Sequence, residues 1–287
     1  MRMPTALGMA LVAALLAQPA QGSVRDARLP EAPSSSPSPS PVQSPVQWPD
    51  QMLARSPDQT PARSPALVAA LGQEAPALRP EVLELALNAR AAAAAAGLVP
   101  HPEVLTVIDY SLPSTERRLW VFDLEKRRLL FHELVAHGQR SGENQATRFS
   151  NRLGSRQTSL GLFVTADTYD GENGYSLRLD GLEAGINDRA RDRAIVIHGA
   201  PYVSASTVAE LGRLGRSLGC PAVSKNVARG LIDTIKGGTA VFAYYPEWKW
   251  LARSAFLKGR AAARALASGG GEGNGSGHRG SGAGATR

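Results

Sequence analysis

Between Leu105 and Tyr244 the chain is written in short runs of β-branched and aromatic residues, each closed off by turn formers, and this punctuation restricts the fold more than any other feature. Leu105 to Tyr110, Arg118 to Asp123 and Leu129 to Val135 read as strands, with Pro113-Ser114-Thr115 and Asp123 to Arg127 as their turns. Leu160 to Thr165, Tyr175 to Asp180, Ala194 to Ile197 and Thr239 to Tyr244 continue the series. Helices are fewer. Pro80 to Ala96 is an Ala-rich run carrying Leu83, Leu85 and Leu87, opened by proline and followed by Gly97, the punctuation of one helix. Ala205 to about Gly212 and Val227 to Lys236 have helical character, and no internal repeat is visible. These patterns predict a β-rich α+β domain with a few covering helices and an N-terminal helix.

The ends of the chain are of different composition. Arg2 followed by the apolar stretch Leu7 to Ala17 and then Ala20-Gln21-Gly22 has the form of a secretory leader, residues 1–22. The apolar run is short of the ~20 residues that span a bilayer, so export without stable membrane insertion is expected, an uncleaved anchor being the competing reading. Residues 23–65 are rich in Pro and Ser, and Pro37, Pro39, Pro41, Pro45 and Pro49 exclude helix and most strand pairing, which predicts an extended linker. Residues 268–287 are almost all Gly, Ser and other small residues, and read as a disordered tail. That leaves a helical segment at 66–100 and a folded domain at 101–267. The net charge of +7 does not indicate a nucleic-acid binder. The basic residues are interleaved with acids, as in Asp188 to Arg193, and no aromatic platform accompanies them. A solvated basic surface or attraction to anionic wall polymer or headgroups fits better.

Cys220 is the only cysteine of 287 residues. In an exported chain it forms no internal disulfide, so it is buried filler, an intermolecular link or a reactive thiol. Its surroundings favour the last. A thiol that attacks carbonyls needs a base for its proton and glycines that let backbone amides face an oxyanion. His198, delivered by the apolar run Ala194 to Ile197, can be that base, and Gly219 allows a sharp turn into the nucleophile while Pro221 stiffens the exit. His137, followed by Gly138 and Ser141-Gly142, either lines the cleft or is a satisfied structural histidine. Tyr169 and Tyr175, separated by Gly171 and Gly174, form either a flap over substrate or the packed tip of a hairpin. A metal site is not expected: there is no His-x-His, Cys-x-x-Cys or His-Glu-x-x-His pattern. No phosphate-cradling glycine loop follows a strand, and no cofactor is expected.

The strings Ile195-Val196-Ile197-His198-Gly199-Ala200 and Gly215-Arg216-Ser217-Leu218-Gly219-Cys220-Pro221-Ala222 resemble the murein L,D-transpeptidase catalytic domain, the YkuD-like family, in particular a subgroup ending in Gly-Cys-Pro-Ala. Leu105 to Glu116, Val135 to Gly142 and Tyr175 to Arg193 extend the resemblance, which covers roughly Leu105 to Tyr245. It implies a mixed β-sheet sandwich and acyl transfer through a Cys220 thioester formed on peptidoglycan tetrapeptide stems. His198 would act as acid and base, with the Gly199 carbonyl on its other ring nitrogen and the Gly219 and Cys220 amides as oxyanion donors. The acceptor would be the diamino-acid amine of another stem, giving a 3-3 cross-link, or a lysine of a wall-attached protein. Capture by water would make the same site an L,D-carboxypeptidase or amidase, and a non-catalytic wall-binding protein is the reading from another class. The location implied is the periplasm or cell envelope. This chain departs from the wider family where Leu218 and Ala222 replace residues that are often polar. Arg216 or Arg213, beside Ser217, is the expected replacement cation for a stem carboxylate, with His137 and Tyr175 as further substrate-binding candidates.

Overall fold

Strand pairing closes eight strands into a barrel in the order β1-β2-β3-β7-β6-β5-β4-β8. The computed structural model describes residues 65–257, so the expected leader, the linker up to residue 64 and the glycine-rich tail lie outside the described residues. The strands are β1 (Val104–Asp109), β2 (Arg117–Asp123), β3 (Arg128–Ala136), β4 (Gly161–Gly171), β5 (Gly174–Gly181), β6 (Val196–Ala200), β7 (Ala222–Ser224) and β8 (Ala240–Tyr244). The mostly β content agrees with the sequence. The expected sandwich does not form, because β8 pairs with β1 on one side and β4 on the other and so leaves the sheet no free edge.

Five helices accompany the barrel among the described residues: α1 (Pro65–Glu74), α2 (Pro80–Ala95), α3 (Ala205–Leu211), α4 (Lys225–Ile235) and α5 (Trp248–Arg253). Proline opens α2 and Gly97 follows its end with φ 74°, as the sequence predicts. Because α2 packs on β1 and β8, these strands are buried on both faces. Their residues are therefore mostly apolar on both faces rather than alternating, with Thr106 and Asp109 as the polar exceptions in β1. Two strands are elongated beyond what the sequence reading marked. β3 runs on to Ala136, and β4 to Gly171 at a hairpin tip where Gly171 pairs with Gly174. The short β7 was not legible, since Ala222-Val223-Ser224 carries too little pattern to stand out.

Ala194 to Ile197 was expected to end at His198, but β6 begins at Val196 and continues to Ala200, so His198 lies at its middle. There it pairs with Ser176 of β5 and, in parallel register, with Ala222 of β7. Directly paired residues present their side chains to one face. On that face Ala200 and Ala222 join Ala136, Val203 and Leu214 in an apolar cluster, against which Tyr202 and Val208 pack. His198 is 3% exposed.

Candidate active site

The segment Ser217 to Cys220 is shaped by one hydroxyl. Ser217 Oγ accepts from the Gly219 amide at 3.1 Å and donates to the Cys220 carbonyl at 2.6 Å, closing a tight turn. Gly219 sits at φ 133°, a conformation that favours glycine, and a Cβ there would stand 2.9 Å from the Gln157 carbonyl oxygen. The turn is anchored to the strand end after β3. The Ser217 amide donates to His137 O at 3.0 Å, and the Gln139 amide donates to Ser217 O at 2.8 Å. Thr158 ties the third side, its Oγ1 accepting from the Gly138 amide at 2.9 Å and donating to the Gly219 carbonyl at 3.2 Å.

Two residues beyond the turn, Ala222 enters β7 opposite His198. Cys220 itself precedes the strand and lies beside the start of β6, the strand that carries His198. The Val196 and Cys220 amides face the sulfur, and Sγ donates to the Ala194 carbonyl at 3.5 Å. Among the described residues no hydrogen bond joins Sγ to His198. Burial pushes the Cys220 thiol above its ordinary value, with the Val196 amide and Arg193 pulling the other way. The resting group is therefore a protonated thiol that needs a base.

His198 has the form of one. Its Nδ1 lies 3.2 Å from the Gly199 carbonyl, which can only accept, so Nδ1 carries the proton and Nε2 keeps its lone pair. Burial lowers its pKa and the Gly199 carbonyl partly offsets this, leaving a neutral ring at neutral pH. Ala222 lies directly beside that ring and Leu218 projects into solvent at 65% exposure. A histidine at 218 would therefore share the exposed tip of the turn.

Other expected site residues are placed differently. The Gly219 amide, expected to face an oxyanion, is already engaged by Ser217 Oγ, while the Cys220 amide faces its own sulfur. Arg213 and Arg216 both pair with Glu143, at 3.0 and 2.6 Å, so neither is a free cation. Tyr175 donates to Asp233 at 2.7 Å beneath the Arg229 guanidinium, on the wall of an open groove of about 390 Å3. Glu172, Lys225 and Tyr202 line the same groove, and Gly199 links it to His198. Among the described residues no group of three His, Cys, Asp or Glu side chains is placed to hold a metal ion. No described helix is long and apolar enough to cross a membrane.

His137 resolves toward structure. Arg118, 0% exposed, donates from Nη2 to His137 Nδ1 at 2.8 Å and from Nε and Nη2 to the Val135 carbonyl, with its Nη1 on Leu112 O. A guanidinium cannot accept, so His137 carries its proton on Nε2, which meets Gly142 O at 3.3 Å. Burial, helped by the Arg118 charge, holds this ring down to about 4 from 6.5. The unfolded chain binds a proton at His137 well before the folded one does. Stability from this group is therefore full above about pH 6.5 and is lost as pH falls toward about 4, some 3 kcal/mol in all. Urea unfolding across this window should show that slope, flattened in His137→Asn; a wild-type stability that is level from pH 6.5 to 4 would contradict it.

Thr158, Arg118 and Arg193 were not found as site-supporting residues from the sequence. Nothing in their local pattern marks them, and Arg118 stands beside Arg117 at the polar start of β2. The YkuD_2 family model, described as the L,D-transpeptidase catalytic domain, matches residues 74–244. No curated protein matches the chain. Among solved structures the chain is similar to an L,D-transpeptidase from Mycobacterium smegmatis, at 16% identity over 50% of this chain and 59% of that one, TM-score 0.31. Another from Mycobacterium tuberculosis shows 14% identity over 50% and 58%, TM-score 0.30. An L,D-transpeptidase from Xylanimonas cellulosilytica shows 18% identity over 66% of this chain and 100% of that one, TM-score 0.29. The chain thus spans under two thirds of the length of the mycobacterial enzymes.

Proposed function

The chain belongs to the YkuD_2 family of L,D-transpeptidase catalytic domains, and from that premise we propose an exported acyltransferase that works on peptidoglycan tetrapeptide stems through a Cys220 thioester. The observation that carries this reading is the pairing of β6 with β7. It sets a neutral histidine, its Nδ1 proton held by Gly199 O, beside the strand that begins just after the chain's one thiol. A base with a free Nε2 is what a buried, protonated thiol requires.

In the proposed cycle Sγ leaves the Ala194 carbonyl and passes its proton to His198 Nε2. The sulfur attacks the carbonyl carbon of the stem's third residue, a diamino acid. The oxyanion takes the Cys220 amide, which the sulfur's movement releases. Collapse breaks the amide bond, His198 returns the proton to the departing D-alanine amine, and a thioester remains. An acceptor amine, from a second stem or a wall-attached protein, then loses its proton to His198 and attacks the thioester carbonyl. The thiol is regenerated with that proton. The groove between the β4–β5 hairpin and α4, which reaches Gly199, is the proposed bed for one stem, with Tyr175 in its wall.

The test incubates the full-length protein with diamino-acid-containing tetrapeptide muropeptides and follows masses of protein and products. D-alanine loss, an acyl-enzyme and dimers are expected. Stem trimming without dimers would assign the thioester to water, and absence of both acyl-enzyme and product would refute the proposal.

A further inference from the structure

The sulfur of Cys220 sits in a buried site, where a thiolate needs a nearby positive charge. Arg213 and Arg216 share the Glu143 carboxylate and neither is among the charges that act on the sulfur, which leaves that place open. Arg193 fills it. This residue directly precedes Ala194, whose carbonyl meets Sγ, and its guanidinium lies against the nucleophile turn: a Cβ on Gly219 would stand 3.4 Å from Nη2. Four acceptors hold the fork: the Ser150 carbonyl, Ser159 Oγ, Ser155 Oγ at 3.1 Å and the Gln157 carbonyl at 2.5 Å. All are neutral. Among the described residues no carboxylate pairs with Arg193, so its full charge remains while its geometry is locked. Ala194 itself adopts φ 51°, unusual for a residue with a Cβ, at the corner that turns the chain from the guanidinium to the sulfur.

We propose that Arg193 is the fixed cation of the active site, stabilising the Cys220 thiolate from a mount built by residues 150–159. This rests on Cys220 being the nucleophile of the proposed reaction. Two other titratable groups feel the sulfur, Tyr110 following β1 and Tyr202 following β6, while the expected base His198 sits in β6. Burial leaves His198 neutral, lifts Tyr202 to about 12 and raises Tyr110 as well, so both phenols stay protonated through the range in which a thiol titrates. Arg193 is the charged member of the set, and it and Cys220 influence each other reciprocally. Arg189 is a like-charged neighbour. A cation already held in place by neutral acceptors needs no reorganisation when the proton leaves the sulfur, which is the condition under which a charge lowers a barrier rather than following it.

The experiment titrates the thiol in the full-length protein. With a single cysteine in the chain, the pH midpoint of iodoacetamide alkylation reports Cys220 alone. Arg193→Gln should raise the midpoint by about one unit, so that alkylation well below it slows about tenfold. Ser155→Asp keeps the guanidinium and its bond but adds a counter-ion, and should move the midpoint in the same direction. Arg193→Lys should stay near wild type. A role limited to bracing the loop predicts no shift in Ser155→Asp. If Arg193→Gln does not fold, Ser155→Asp decides alone. An unshifted midpoint in the folded variants overturns the proposal. The readout is independent of turnover: a shifted midpoint supports the pairing even if no muropeptide is acylated, and an unshifted one overturns it even if the enzyme is active.

Discussion

Replacing Cys220 by Ala or Ser will reduce acyl transfer from tetrapeptide muropeptides by about a thousandfold or more, while the protein remains folded. The chain has no second thiol, so no other cysteine can take over the proposed attack. Serine is a poor substitute here because the site is harsh even to sulfur: burial pushes the thiol up, and an alkoxide is far harder to generate. Loss of stability should be small. The side chain is nearly buried but donates only a long hydrogen bond to Ala194 O, so removing Sγ costs about 1 kcal/mol. Mass spectrometry of the products together with thermal melts checks both halves. Equal turnover by Cys220→Ala would remove Cys220 from the chemistry, whereas muropeptide binding unchanged by Cys220→Ala, with no turnover by either protein, would move the chain to the non-catalytic wall-binding class.

Gly138→Ala is the second large effect, and it acts at a distance from the sulfur. A methyl on Gly138 would meet the Arg156 carbonyl oxygen at 2.6 Å, Gly219 Cα at 2.9 Å and the Thr158 amide nitrogen at 3.0 Å. All three are backbone atoms, so no side chain can swing aside. The parallel bridge between Gly138 and Ser217 must open, and the turn bearing Gly219 and Cys220 shifts with it. Overpacking of this kind costs about 1–3 kcal/mol. A displacement of about 1 Å at the nucleophile costs about a hundredfold in kcat/KM. Steady-state kinetics on the folded variant should show the fall mainly in kcat, since the groove between the β4–β5 hairpin and α4 is untouched; unchanged kcat would show that the turn tolerates the methyl.

Much of the fold was legible because short strands announce themselves through β-branched and aromatic runs. β1, β2, β8 and the hairpin β4–β5 follow the runs that mark them. Closure was not legible. Whether a sheet ends in free edges or joins itself depends on the pairing of β8 with both β1 and β4, a relation between segments far apart in the chain. The same limit applied at the site. Cys220 and His198 stood out by residue type and neighbours, yet the parallel register that brings their strands together rests on β7, whose Ala-Val-Ser carries no signal. Arg213 and Arg216 looked like free cations because their partner Glu143 is distant in sequence.

By itself the sequence determined the chemistry available: one thiol, one histidine at an apolar run, and a Ser-x-Gly-Cys turn whose glycine permits the positive φ observed at 219. These are local properties, set by side-chain type and backbone freedom. Tertiary structure decided the electrostatics. It buried His137 under Arg118 as a neutral support, engaged the Gly219 amide with Ser217, and placed Arg193 among neutral acceptors against the turn from Ser217 to Cys220. Charge, burial and hydrogen-bond partnership depend on what surrounds a group in space, and the barrel brings those surroundings from segments that no local pattern connects.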